Sequence, residues 1–231
     1  MSDRPANPLL AHVVPFVAWI AVLHFLAVPQ LEPSWQYAVR AAVGALLLVI
    51  YQPGRWYPRL HAYNLPLALI VGVGVFLVWV LPESPLAPAW LREPYLRWAV
   101  RPLGEFRNPI EAAPYAPSVC GWPLTLIRLF GSGLIIPIIE EFFWRGFIAR
   151  WVMGGDFWRH DAGQIDFTRF LMVAAVFGIE HQEWLVGFLA GLAYGWMYMR
   201  TRDIWAVALA HAVTNLLLGF YVIRTGAWQF W

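Results

Sequence analysis

Apolar runs close to twenty residues long, separated by segments rich in arginine or proline, recur along this 231-residue chain. A helix needs about 20 apolar residues to cross the hydrocarbon core of a bilayer. The candidate spans are Leu9–Val28, Tyr37–Tyr51, Leu65–Leu81, Leu134–Met153, Phe170–His181, Trp184–Met199 and Ile204–Ile223. Leu124–Phe130 is an interfacial piece or an additional span. Inside lipid a helix satisfies its own backbone polar groups. The expected fold is therefore all-α, a polytopic transmembrane helical bundle of seven or eight spans. Composition points the same way. Hydrophobic residues make up 60% of the chain and charged ones 13%, against roughly 45–50% and about 25% in soluble domains. The 15 tryptophans suit interfacial belts. Arg4 followed by the apolar run Pro8–Val28 has the outline of a signal peptide. The run is long for one and more spans follow, so it is expected to be retained as the first span.

One integral membrane domain, residues 1–231, accounts for the whole pattern. Within it, residues 82–123 carry nine prolines and are expected to form an extramembrane loop with short amphipathic turns. Residues 154–169 and 200–203 form shorter polar loops. Seven alternating spans put Arg55, Arg59, Arg150, Arg159, Arg169, Arg200 and Arg202 on one side. The arginine bias makes that side, and the N-terminus, cytoplasmic. A bacterial cytoplasmic membrane is the expected location. Every basic residue is arginine and the net charge is only +2, which gives no basis for nucleic-acid binding. Cys120, the single cysteine, makes neither an internal disulfide nor a thiolate metal cluster.

Charged groups within a span are costly and usually functional. Three places stand out: Glu140-Glu141 with Arg145, Phe177 with His181, and His211 with Asn215. Glu140 lies 10 residues from Arg150, His181 lies 12 from Arg169, and His211 lies 9 from Arg202. At ~1.5 Å per residue these are roughly 15, 18 and 14 Å from one membrane face, near the midplane. Glu141 and Arg145 are spaced i,i+4 and can pair on one helix face. The two adjacent carboxyls then divide, one held in the ion pair and the other left as a base. His211 and Asn215 share a face and can donate to a developing oxyanion. Pro137, one turn before Glu140, is expected to kink its helix and free backbone carbonyls near the site.

With these motifs in this order, the segment from Ile135 to Ile223 resembles the type II CAAX prenyl endopeptidase family, also described as CAAX proteases and bacteriocin-processing proteins. That family carries EExxxR, FxxxH and HxxxN on separate transmembrane helices. The match includes the Gly187–Gly191 stretch and the Arg200–Asp203 turn. The resemblance implies a glutamate-type intramembrane endopeptidase without a covalent intermediate. Glu140 would activate water, and His181 would help hold it. His211 and Asn215 would form the oxyanion hole. Glu141 and Arg145 would hold the site in shape, and Phe177 would pack beneath it. No cofactor is implied. A zinc site from Glu140, His181 and His211 is chemically possible and ranks second. The implied substrate is a membrane-anchored or lipidated peptide or protein, cut near its C-terminus. A non-enzymatic immunity or protein-sorting role on the same fold is the main alternative. A proton-coupled transporter ranks below it, because no inverted repeats occur.

Other polar residues have plainer readings. His24 and His61 are expected to make helix-to-helix hydrogen bonds. Glu180 and Glu183 are expected to be loop-end carboxylates, and His160, Asp161 and Asp166 to be solvated loop residues. Ser132, between Gly131 and Gly133, lacks the GxSG order of a serine site and is expected to pack.

Overall fold

The computed structural model describes residues 7–25, 31–84, 86–100 and 113–231. Within these the protein is all-α, with no strand. Seven main helices follow one another: α1 (Pro8–Phe25), α2 (Pro33–Tyr51), α3 (Leu65–Val80), α4 (Trp122–Trp151), α5 (Phe167–Ile179), α6 (Trp184–Thr201) and α7 (Ile204–Thr225). A short helix, Ala89–Pro94, runs on as a wider turn over Tyr95–Val100 and packs near the start of α6.

The span count corrects the expected seven or eight. Among the described residues four helical segments are long and apolar enough to cross a membrane: Pro33–Trp56, Ala62–Glu83, Trp122–Trp151 and Ile204–Thr225. The expected span Leu134–Met153, up to Trp151, and the piece Leu124–Phe130 are joined in the single 30-residue helix α4. The apolar helices Pro8–Val22 and Phe167–Ile179 are shorter than a crossing needs. Helix α6 has 18 residues, but three glycines, Tyr194, Tyr198 and Arg200 dilute its apolar character. Pro123, expected to close the proline-rich loop, lies in the first turn of α4, where its missing N–H has no helical partner to lose. Pro85, Pro102 and Pro109 of that loop lie outside the described residues, as does the side chain of His24.

Large apolar side chains face outward, as lipid favours, while several polar and charged ones are buried beside an apolar core. Leu46, Val49 and Ile50 on α2, Leu69 and Ile70 on α3, and Phe220 on α7 are exposed. Glu141, Arg145, His211 and Thr214 are buried. Helix α7 packs most extensively on α3, α5 pairs with α6, and α1 pairs with α2. At Gly72 an added Cβ would meet the Ala210 carbonyl at 2.5 Å, so a glycine lets α3 and α7 approach this closely. Thr214 uses that closeness to donate to the Gly72 carbonyl at 2.8 Å.

Three of the arginine-bearing loops meet at one end. Asp203 accepts from the His61 backbone N–H at 2.9 Å, from the Asn64 amide at 2.9 Å and from the N–H of Ala206, capping α7. Arg202 donates to Asp161, whose carboxylate also accepts from the Gly163 N–H. Asp166 caps α5. Asp161 and Asp166 are thus cap residues with arginine partners rather than merely solvated ones. The carboxyl of Asp161 is held below its ordinary range by the Gly163 N–H and by Arg202. Burial pushes the Asp203 carboxyl up, but the donors from His61, Asn64 and Ala206 outweigh it and leave it below its ordinary value.

Candidate active site

Two wide, π-type turns interrupt α4, at Gly131–Ile135 and Phe142–Ile148, on either side of Glu140 and Glu141. Such turns often occur at functional sites. The first has a local cause. Pro137 has no N–H, and the Ile136 N–H returns to the Gly131 carbonyl. The Ser132 carbonyl is reached instead by the Asn215 amide from α7, at 2.9 Å. The freed carbonyl expected from Pro137 is therefore present, and it anchors Asn215. The Ser132 hydroxyl turns back to the Arg128 carbonyl at 2.8 Å.

Glu141 is fully buried and bridges two helices. Its Oε1 accepts from Arg145 at 3.2 Å and from His211 Nδ1 at 2.9 Å. Arg145 also donates to the Gly191 carbonyl of α6 at 3.1 Å and lies over the Phe177 ring, 4.5 Å from its centroid. One motif arginine thereby ties α4 to α5 and α6. Tyr194 of α6 stacks on His211, with centroids 4.9 Å apart, and its hydroxyl donates to Thr214. Sequence reasoning missed Tyr194, since nothing local links it to a histidine 17 positions later.

Glu140 turns the other way. With Phe177, His181, His211 and Asn215 it lines a cavity of about 620 Å³. Its Oε2 is buried with no hydrogen-bond partner among the described residues, 4.0 Å from His211 Nε2. The Nδ1–H of His181 donates to the Phe177 carbonyl at 2.7 Å, because a carbonyl can only accept. The lone pair on Nε2 is left for a solvent molecule. The Cβ of His181 lies against Gly187, where an added Cβ would meet it at 2.9 Å, so α6 positions the imidazole by close approach. The sequence-expected residues thus divide into two layers. Glu140, His181, His211 and Asn215 reach the cavity, while Glu141 and Arg145 stay behind it.

Glu180, expected to be a loop-end carboxylate, also lines the cavity and accepts from the Trp144 indole at 3.1 Å. Trp19, Tyr37 and Arg40 enter the wall from α1 and α2, which the sequence marked only as apolar spans. Among the described residues no three His, Cys, Asp or Glu side chains form a group that could hold a metal ion.

Two comparisons find no match, one with curated proteins and one with solved structures. A family comparison does find one: residues 122–217 match the family described as type II CAAX prenyl endopeptidase Rce1-like. The matched region runs from the start of α4 into α7 and contains Glu140, Glu141, Arg145, Phe177, His181, His211 and Asn215. It is a domain-sized part of the chain.

Proposed function

We propose that the protein is an intramembrane endopeptidase that hydrolyses a peptide bond with water activated by Glu140. The observation that carries this is the convergence of Glu140, His181, His211 and Asn215 on one cavity, within a region matching an endopeptidase family. His181 Nε2 holds the water, and Glu140 takes its proton as the oxygen attacks the scissile carbonyl. Glu140 then returns that proton to the leaving nitrogen as the C–N bond breaks. Asn215 uses one amide proton on Ser132 and keeps the second for the oxyanion.

The geometry around His211 adds a condition. Its Nδ1–H points to Glu141, so a neutral imidazole would present only a lone pair at Nε2. Nε2 donates to an oxyanion only when the ring carries both protons. Glu141 supplies the negative charge that stabilises that imidazolium, in the manner of an aspartate behind a catalytic histidine.

The substrate is a membrane-anchored or lipidated chain, as the family's description suggests. The test is a comparison of membrane-proteome C-termini in cells carrying the wild-type protein or Glu140→Gln at equal abundance. New C-termini present only with the wild type support hydrolysis; identical sets sink it. If Glu140→Ala, His181→Ala and His211→Ala each preserve the cellular phenotype, a non-enzymatic role takes its place.

A further inference from the structure

His181 lies beyond the last residue of α5, in the turn of residues 180–183 that leads into α6. An imidazole on a turn needs fastening if it is to hold water at a set distance from Glu140. Three contacts fasten it within the α5–α6 hairpin. Its backbone N–H donates to the Gly178 carbonyl at 3.0 Å, its Nδ1–H donates to the Phe177 carbonyl at 2.7 Å, and its Cβ rests against Gly187. None of the three involves α4, which carries Glu140. Arg145 does join α4 to this hairpin, but at Phe177 and Gly191, within the bodies of α5 and α6.

A tie at the level of the turn is made by two residues outside the charged motifs. Trp144 precedes Arg145, and Glu180 precedes His181. The Trp144 indole N–H donates to Glu180 Oε2 at 3.1 Å. Trp144 is buried, and its ring meets Phe16 and Phe177 edge-on, with centroids 5.9 and 5.8 Å away. The α4 end of the bond is therefore held by packing. At the other end, Glu180 lines the cavity and lies close enough for its charge to act on Glu140. A hydrogen bond to an ionised acceptor is roughly twice as strong as a neutral one.

We propose that the hydrogen bond from Trp144 to Glu180 is a clasp that sets the spacing between His181 and Glu140, which makes Glu180 a positioning residue. This rests on the hydrolytic function above and adds what holds its water-binding and base groups in register. A misplacement of ~1 Å in such a pair costs on the order of a hundredfold in rate. The rest of the cavity wall binds substrate without the clasp, so its loss falls on kcat and leaves KM nearly unchanged.

The test is a double-mutant cycle in full-length protein in phosphatidylcholine nanodiscs, with a dansylated S-farnesyl-Cys-Val-Ile-Ser peptide as substrate. Trp144→Phe removes the donor and Glu180→Leu the acceptor, whereas Glu180→Gln keeps an oxygen that accepts from the indole. Trp144→Phe and Glu180→Leu should each lower kcat by about 10–100-fold, with KM within about twofold of wild type. The double variant should be no slower than the slower single one, and Glu180→Gln should stay within about threefold of wild type. Losses that multiply in the double variant, or an unchanged kcat in either single one, overturn the clasp. Glu180→Gln as slow as Glu180→Leu overturns it too, because the charge rather than the bond would then be required.

A second measurement needs no turnover. In protein labelled with nitrogen-15 histidine, the ring signals of His181 are assigned by their loss in His181→Gln. They should move in Glu180→Leu and in Trp144→Phe, and stay in place in Glu180→Gln. Signals unmoved by Glu180→Leu overturn the clasp whatever the activity. If the wild type never cleaves a peptide while these signals move as expected, the hydrolytic function fails and the clasp on His181 stands.

Discussion

Glu141 accepts from Arg145 on its own helix and from His211 across the bundle, and all three side chains are almost wholly buried. Removing one partner of such a group strands a charge, which costs about 3–5 kcal/mol. Arg145→Met should therefore lower stability by that order and abolish activity, as read by thermal unfolding in detergent. Glu140 has no such partner, so Glu140→Gln should unfold at nearly the wild-type temperature while activity falls by about 10²–10⁴-fold, the range for a general base. The contrast separates the two adjacent carboxyls: equal loss of stability in both variants would contradict the division of roles. The doublet, the arginine and both histidines were legible in the sequence because they sit at helical spacing within apolar runs. The cross-helix bond from Glu141 to His211 was not, and neither were Arg40 and Tyr194. Their meaning depends on contacts between helices far apart in the chain.

At the scale of elements, glycines and caps set how closely helices carry these groups together. Gly187→Ala would press on His181 Cβ and move its imidazole. Activity should fall at least tenfold while helical content measured by circular dichroism stays near wild type. Unchanged turnover would mean that the α5–α6 approach does not position His181. Asp203 caps α7 and ties it to the loop before α3. Asp203→Ala should cost about 1–2 kcal/mol, the upper part of the range for a helix cap. The folded-state carboxyl titrates below its ordinary value of 3.8, so its contribution is complete above that value and is lost as pH falls further. Wild-type stability should drop in that acid window, and Asp203→Asn should flatten the drop. Element existence was largely readable, since hydrophobic runs mark helices. Their joining was not: Gly131, Gly133 and Pro137 look like a break, yet the π-type turn carries α4 through them.

At the scale of the whole molecule, four long apolar segments among the described residues replace the alternating seven, so the expectation of a cytoplasmic N-terminus loses its premise. The clustering of loops survives on direct contacts. His61 and Asn64 meet Asp203, and Arg202 meets Asp161, so residues 53–64, 154–166 and 200–203 share one end. Cys120 lies just before the opposite end of α4. In sealed vesicles of one orientation, a membrane-impermeant maleimide should reach either Cys120 or a cysteine placed at Arg200 in a Cys120→Ser background, never both from one side. Labelling of both from outside would contradict a crossing by α4. The cavity runs from Glu140 toward the Cys120 end, where residues 113–115 and 228–231 line it. Substrate should enter there.

The most direct test of Glu140-driven hydrolysis is the turnover of one peptide by purified protein. Wild type and Glu140→Gln, matched in circular dichroism and in thermal midpoint, are reconstituted with a dansylated S-farnesyl-Cys-Val-Ile-Ser peptide, and the products are identified by mass spectrometry. Cleavage at a single bond by the wild type, reduced at least a hundredfold by Glu140→Gln, is the expected result. Cleavage at equal rates by both proteins would contradict it.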